Sequence, residues 1–290
     1  MVTISEALSN KALLIFDGAT GTQLAARGAA QSPLANIESP EVVKSIHRDY
    51  RDAGANVVLT NTLTANRIAM EHAGTADKLV EINTAGARLC REAVGGDCYV
   101  CGDMGSTGQF LEPLGDYTEA QFAESFAEQA RILAESGVDL IIIETMTDVR
   151  EAAIAVKAVK SAVSIPVIGS IAFDPAMGGC FRTMMGDTVA KAVTELTAAG
   201  ADVIGANCGT VDPNELSLII AEMRSSSDIV LIAQPNAGKP EIVEGQVRFR
   251  WTPTEFAEGA MKCVEAGATL VGGCCGTTPA HIAELASRLR

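Results

Sequence analysis

The sequence predicts a (β/α)8 barrel, and three observations carry that prediction. Short apolar runs alternate with helix-period segments eight times along the 290 residues. The runs are apolar at nearly every position, as in DLIIIE (Asp139–Glu144), which suits parallel strands buried on both faces. The phrases AGANV (Ala53–Val57), SGVDL (Ser136–Leu140), AGADV (Ala199–Val203) and AGATL (Ala266–Leu270) precede the second, fourth, sixth and eighth runs, each with a glycine placed to end a helix in the left-handed region. Units of this regularity close on themselves. An open doubly wound sheet is the competing arrangement, and no GxGxxG follows the first run to support its dinucleotide-binding form.

The elements follow in order. Strand one is expected at Leu13–Asp17, followed by a long connection, Gly18–Ser39, to a helix opened by Pro40. Strand two falls at Asn56–Thr60. Strand three, Tyr99–Asp103, leads through Met104–Tyr117 to a helix over Glu119–Glu135, where Phe122, Phe126, Ala130 and Leu133 recur at helical spacing. Strand four, Asp139–Glu144, runs into a helix capped by Asp148. Strand five, Pro166–Phe173, is followed by the loop Asp174–Asp187, with Asp187 as the next cap. Strand six is Asp202–Asn207, after which Asp212 and Pro213 open a helix containing Glu215–Arg224. Strand seven, Ile229–Gln234, precedes Pro235–Thr252, in which EIVEGQVRFR predicts a hairpin around Gly245, and Pro253 starts the next helix. Strand eight, Thr269–Gly273, precedes Thr278, Pro279 and a closing helix, Ala280–Arg290. No linker or shift in composition interrupts the series, so residues 1–290 read as one domain, with Met1 and the closing helix expected as natural ends and a fragment of a longer chain as the alternative.

Composition narrows the class. A hydrophobic share of 48% excludes a disordered chain, and 22 Lys+Arg against 36 Asp+Glu, a net charge of −14, argues against a binder of nucleic acid or anionic membrane. No apolar run of about 18 residues spans a bilayer, and the N-terminus lacks the basic and apolar regions of a signal peptide. A cytoplasmic protein is expected, whose eight cysteines are reduced thiols or metal ligands.

Barrel enzymes place their chemistry where strands end, and here the strand ends are polar: Asp17, Thr60–Thr62, Asp103, Glu144, Asn207–Cys208, Gln234, Asn236 and Cys274–Cys275. The sharpest signal is Cys208 with Cys274 and Cys275, in GANCGT and VGGCCGTTP. Three thiolates at about 2.3 Å from zinc, with the fourth position open, form a catalytic pattern. Adjacent cysteines on a regular strand point to opposite faces, so both reach one metal only where the backbone leaves strand geometry, and Gly272, Gly273 and Gly276 permit that. A buried pair of small residues or a strained disulfide is the bland alternative. Asn236 stands either as a fourth ligand before substrate arrives or as a solvated amide in the PNAG turn. Cys90 and Cys263 fall on apolar helix faces, Cys98 and Cys101 on opposite faces of a strand, and Cys180 in a glycine-rich loop near the mouth, its role open. His47, His72 and His281 fall in helices or their ends, away from the strand ends.

DGATGTQL, Asp17–Leu24, reads as a sharp glycine-flanked turn presenting N–H groups to a carboxylate or phosphate, with a plain tight turn as the alternative. Glu144, with no Lys or Arg at a neighbouring strand end, wants a cation from a ligand, such as an ammonium. An anion nest, an ammonium acceptor and a thiophilic metal together describe a pocket for an amino acid bearing a thiol.

The motifs FDGATGTQL, TNTLTANR, IIIETMTD, GANCGT, QPNAGKP and GGCCGTTPAHI, in this order over nearly the whole chain, resemble the homocysteine S-methyltransferase family, and within it the homocysteine-binding domain of cobalamin-dependent methionine synthase. The resemblance implies a (β/α)8 barrel holding zinc through Cys208, Cys274 and Cys275. It also implies homocysteine contacts from Asp17, Gly18, Ala19, Thr62, Glu144 and Asn207, and an enzyme that methylates the homocysteine thiol to form methionine. The aromatic cage of the betaine-using branch is missing, since Ala65, Asn66 and Thr145 stand in the corresponding motifs. The corrinoid signature DxHxxG is absent too, so the methyl group is expected from a separate methylated corrinoid protein. A small sulfonium such as S-methylmethionine is the rival donor. A non-catalytic zinc-thiolate store or redox sensor is the alternative from another class.

Overall fold

The computed structural model describes residues 2–290, and every predicted strand position contributes to one parallel sheet. Its strands are β1 (Leu14–Ile15), β2 (Val57–Leu59), β3 (Tyr99–Met104), β4 (Leu140–Met146), β5 (Val167–Ile171), β6 (Val203–Asn207), β7 (Val230–Gln234) and β8 (Leu270–Val271). Each is followed by a helix: α1 (Pro40–Asp52), α2 (Leu79–Val94), α3 (Glu119–Glu135), α4 (Val149–Ala162), α5 (Val189–Ala198), α6 (Pro213–Ser226), α7 (Pro253–Glu265) and α8 (Pro279–Leu289). Neighbours pair in the order β1-β8-β7-β6-β5-β4-β3-β2, and a parallel bridge between Phe16 and Val57 joins the two ends. There the Asn56 N–H donates to the Ile15 carbonyl at 2.6 Å, and Asn56 Oδ1 accepts from the Ile15 N–H at 2.9 Å. The sheet is a closed barrel, which sets aside the open doubly wound alternative.

Period-two alternation sorts the strand residues into two cores. Phe16, Leu59, Cys101, Ile142, Ile168 and Ile232 pack inside the barrel. The intervening Val58, Val100, Ile141, Ile143, Ile204 and Leu231 face the surrounding helices. Each such Ile or Leu, fully buried, favours folding by roughly 1.5–3 kcal/mol.

Local chemistry sets the helix ends. Gly54, Gly137, Gly200 and Gly267, from the four repeated phrases, all adopt left-handed φ between 85° and 113°. Pro40, Pro213, Pro253 and Pro279 each open a helix, and Asp148 and Asp212 are N-caps. The expected cap at Asp187 is corrected by one residue. Thr188 Oγ1 accepts the Lys191 N–H at 2.9 Å, a reach that suits the residue directly before the helix. Asp187 pairs instead with the Lys191 ammonium at 2.6 Å.

A helix not foreseen, Ile4–Ser9, begins in a capping box of Thr3 with Glu6. It drives Ile4, Ala7 and Leu8 into the interior cluster, while the Tyr99 hydroxyl at the start of β3 donates to the Val2 carbonyl at 2.6 Å. The N-terminal segment therefore plugs the barrel at the end opposite the long loops. Within those loops, Glu241–Val243 and Gln246–Arg248 pair as the predicted hairpin, turning through Glu244 and Gly245 at φ 52° and 75°. No helix among the described residues is long and apolar enough to cross a membrane.

Candidate active site

At the C-terminal ends of the strands the interior alternation continues, but with polar residues. Asp103 follows Tyr99 and Cys101, Glu144 follows Leu140 and Ile142, and Asn207 and Gln234 close β6 and β7. Above this layer lies a cavity of about 290 Å³, lined among others by Asp17, Gly18, Ala19, Asp103, Glu144, Cys208, Cys274 and Cys275. Among the described residues, no aromatic, Lys or Arg side chain lines it.

The three cysteines meet at one wall. Their sulfurs all lie within 4.8 Å of one another, and Cys208 Sγ is 3.8 Å from Cys275 Sγ. Tetrahedral thiolates at 2.3 Å from a metal sit about 3.8 Å apart, so the donor set fits a thiophilic ion. The backbone makes this possible in the expected way. β8 ends at Val271, and Gly276 then takes φ 79° where a Cβ would lie 2.3 Å from Phe249. Cys208 itself adopts a left-handed φ of 58°, sparsely populated for a residue with a Cβ. The thiols of Cys208 and Cys274 donate to Cys275 and pull its pKa down to about 4. Asn236 is buried rather than solvated. Its Nδ2 donates to the Gly209 carbonyl at 2.9 Å, while its Oδ1 has no partner, which leaves an oxygen available to an ion.

Opposite stands Glu144, 7% exposed, its pKa pushed up to about 8 by burial and by the charge of Cys208. A bulge between Ile143 and Met146, with Thr145 at φ 57°, ends the regular strand there. Asn207 fixes the turn: its Oδ1 accepts the Thr145 N–H at 3.0 Å, and its Nδ2 donates to Thr145 Oγ1 at 2.7 Å. The same amide approaches Glu144 Oε2 at 3.4 Å and Cys274 Sγ at 3.8 Å. Asn207 thus touches both the carboxylate and the thiol cluster.

The first-strand motif is built differently from the expected turn. Neither Gly18 nor Gly21 has positive φ; a short helix, Thr20–Ala26, starts there instead, and its first N–H groups have no partner within it. Gly18 is needed for close approach, since a Cβ would lie 2.5 Å from Thr277 Oγ1. That hydroxyl accepts the Ala19 N–H at 3.0 Å and donates to the Cys274 carbonyl at 2.7 Å. The Tyr50 hydroxyl donates to the Ala19 carbonyl at 3.0 Å. Asp17 Oδ2 accepts the Leu59 N–H at 2.9 Å, and burial raises the Asp17 pKa well above the carboxylate range. Thr62 stands behind the wall: it is fully buried, and its hydroxyl donates to the Asp103 carbonyl at 2.7 Å.

The family profile for homocysteine S-methyltransferase matches residues 14–289. The chain belongs to the homocysteine S-methyltransferase family. It is 31% identical to methionine synthase of Mycobacterium tuberculosis over 95% of its length, and spans about a quarter (24%) of that protein. To betaine–homocysteine S-methyltransferase 1 of Danio rerio it is 29% identical over 99% of its length and 75% of that chain. The metallated crystal structure of the homocysteine methyltransferase MmuM from Escherichia coli shares its fold, with a TM-score of 0.79, 23% identity and 98% of both chains covered.

The other five cysteines are not part of the three-thiol cluster. Cys90, Cys98, Cys101 and Cys263 are buried, Cys98 and Cys101 in separate cores, and the half-buried Cys180 thiol donates to the Met177 carbonyl at 3.2 Å. Asp103 gained no role from its sequence motif, although its parity with Glu144 on an adjacent strand was a usable signal. The Thr277 and Tyr50 bridge had no local signal, because it joins residues more than two hundred positions apart.

Proposed function

We propose that the chain is a zinc-dependent methyltransferase, one barrel domain that methylates the thiol of homocysteine to give methionine. The observation that carries the reading is the trio of thiols facing a buried, cation-free Glu144 across one small cavity. Cys208, Cys274 and Cys275 would hold the zinc, with Asn236 Oδ1 as the further ligand before substrate binds. Bound zinc supplies a deprotonated, nucleophilic substrate sulfur at neutral pH, where a free thiol is only a few per cent ionised. Glu144 accepts the substrate ammonium, steadied by Asn207. Gly18, Ala19 and the first N–H groups of the Thr20–Ala26 helix face the carboxylate, with Asp17 bracing the neighbouring Leu59 and Thr62 bracing Asp103 from behind. The walls exclude water from the reacting sulfur, and no general base is required of the chain.

Cys208→Ala tests the reading. Zinc content by elemental analysis should fall well below one per chain, and methyl transfer should fall at least a hundredfold; full metal with unchanged transfer would refute it.

For the donor we favour a separate methylated corrinoid protein. Support comes from the mouth, where Phe110, Leu114, Met177, Met184, Ile242 and Val247 are exposed on the loops after β3, β5 and β7. Isolated exposed apolar residues are common, but a group around a cavity suits a protein partner. A sulfonium would gain from aromatic faces, and none lines the cavity.

A further inference from the structure

Three carboxylates reach the cavity, and they differ in what satisfies them. Asp17 Oδ2 is held by the Leu59 N–H, and Glu144 Oε2 lies 3.4 Å from the Asn207 amide. Asp103 is 7% exposed, lines the cavity, and its buried Oδ1 accepts no hydrogen bond. The backbone around it is fully engaged: its N–H donates to Thr60 Oγ1 at 3.0 Å and its carbonyl accepts from Thr62. The residue is therefore held through its backbone, with the side-chain Oδ1 left unpartnered.

Its place in the barrel says what it awaits. β3 pairs directly with β4, with Asp103 level with Ile142, two residues before Glu144 on the same inward face. Adjacent strands lie about 4.8 Å apart, so the two carboxylates share one corner of the cavity. Burial, and then the neighbouring charges of Glu144 and Asp17, oppose ionisation of Asp103. Such an arrangement is relieved by a cation placed between them. Among the described residues, no Lys or Arg lines the cavity to do so. An ammonium carries three N–H donors, more than Glu144 alone accommodates in this corner.

We propose that Asp103 is the second carboxylate of the ammonium subsite and makes the site selective for thiols bearing a free α-amino group. The inference rests on the reading of Glu144 as an ammonium acceptor, and it extends that reading from affinity to selectivity. A thiol acid lacking the amino group leaves two carboxylates crowded and unpaired, whereas an α-amino thiol acid satisfies both.

The test is calorimetric binding of homocysteine and of its des-amino analogue, 4-sulfanylbutanoate, to zinc-loaded protein. Asp103→Asn is nearly isosteric, and Asp103→Ser serves if the amide variant does not fold. The expected result is homocysteine binding weakened about tenfold or more, with 4-sulfanylbutanoate changed by less than about twofold. Equal weakening of both ligands would mark Asp103 as structural and overturn the proposal, as would no change in either. Glu144→Gln separates the two levels. If it discriminates between the ligands and Asp103→Asn does not, only this inference fails. If neither variant discriminates, the ammonium reading of the pocket fails with it.

Discussion

At the residue scale, two sets of buried groups without partners among the described residues have consequences that can be tested. Asp103 and Gln234 line the cavity, where ligands can satisfy their unpartnered Oδ1 and Oε1, and Asn236, with its own unpartnered Oδ1, belongs to the connection hydrogen-bonded to the cysteine loop. His47, in α1, is fully buried with both ring nitrogens unpaired, and burial lowers its pKa to about 4. Above pH about 6.5 the ring is neutral in both folded and unfolded chains. Below that, the unfolded chain takes up a proton that the folded chain refuses, so stability is lost as pH falls from about 6.5 to about 4. The cavity carboxylates work the other way: with raised folded pKa values they hold protons that the unfolded chain has released, and add stability as pH falls. Comparing the protein with His47→Leu isolates the histidine. Between pH 7 and 5 the variant should lose about 2 kcal/mol less unfolding free energy in urea, and equal losses would contradict the assignment.

At the element scale, the strands were legible because alternation and buried runs are local signals. The parity that places Leu140, Ile142 and Glu144 inside is the parity of Tyr99, Cys101 and Asp103. The left-handed glycines after the helices were legible for the same reason, since each position is fixed by its own backbone. What escaped was non-local. Gly18 is small because Thr277 presses on it from the far end of the chain, a constraint that no window around DGATGTQL contains. The Asn207–Thr145 pairing joins residues 62 positions apart. The plug helix, Ile4–Ser9, has only six residues and too few repeats to display a period. Its contribution is open to measurement. Leu8→Ala, at a position 8% exposed against the interior core, should reduce unfolding free energy by about 2–4 kcal/mol. Homocysteine binding at the opposite end of the barrel should be preserved, and a loss below about 0.5 kcal/mol would show that the plug is only loosely seated.

At the scale of the whole molecule, the net charge of −14 is spread unevenly. The four long connections at the mouth hold five basic and seven acidic residues, so most of the acidity lies away from the cavity. A partner approaching the mouth meets a nearly neutral, partly apolar rim, whatever the average charge. This leads to the donor experiment. Methylated corrinoid protein should support methionine formation, and Met177→Glu with Ile242→Glu should slow that transfer about tenfold without changing homocysteine binding. Rapid methionine formation from S-methylmethionine alone, undisturbed by the same changes, would overturn the corrinoid preference.

Much of the cavity's chemistry and the outermost part of its rim come from different connections. Glu144, Cys208 and the pair Cys274–Cys275 sit beyond β4, β6 and β8, each joined to its next helix by a short link. The exposed apolar side chains ride on the long excursions after β3, β5 and β7. The connection after β7 is tied to the cysteine loop, since the Cys274 N–H donates to the Pro235 carbonyl at 2.8 Å and the Ala237 N–H to the Cys275 carbonyl at 2.9 Å. By contrast, an insertion at the tips of the excursions after β3 and β5 leaves the first set in register. The barrel is in effect modular at those two tips, so the cysteine wall can be kept while the outermost rim is exchanged.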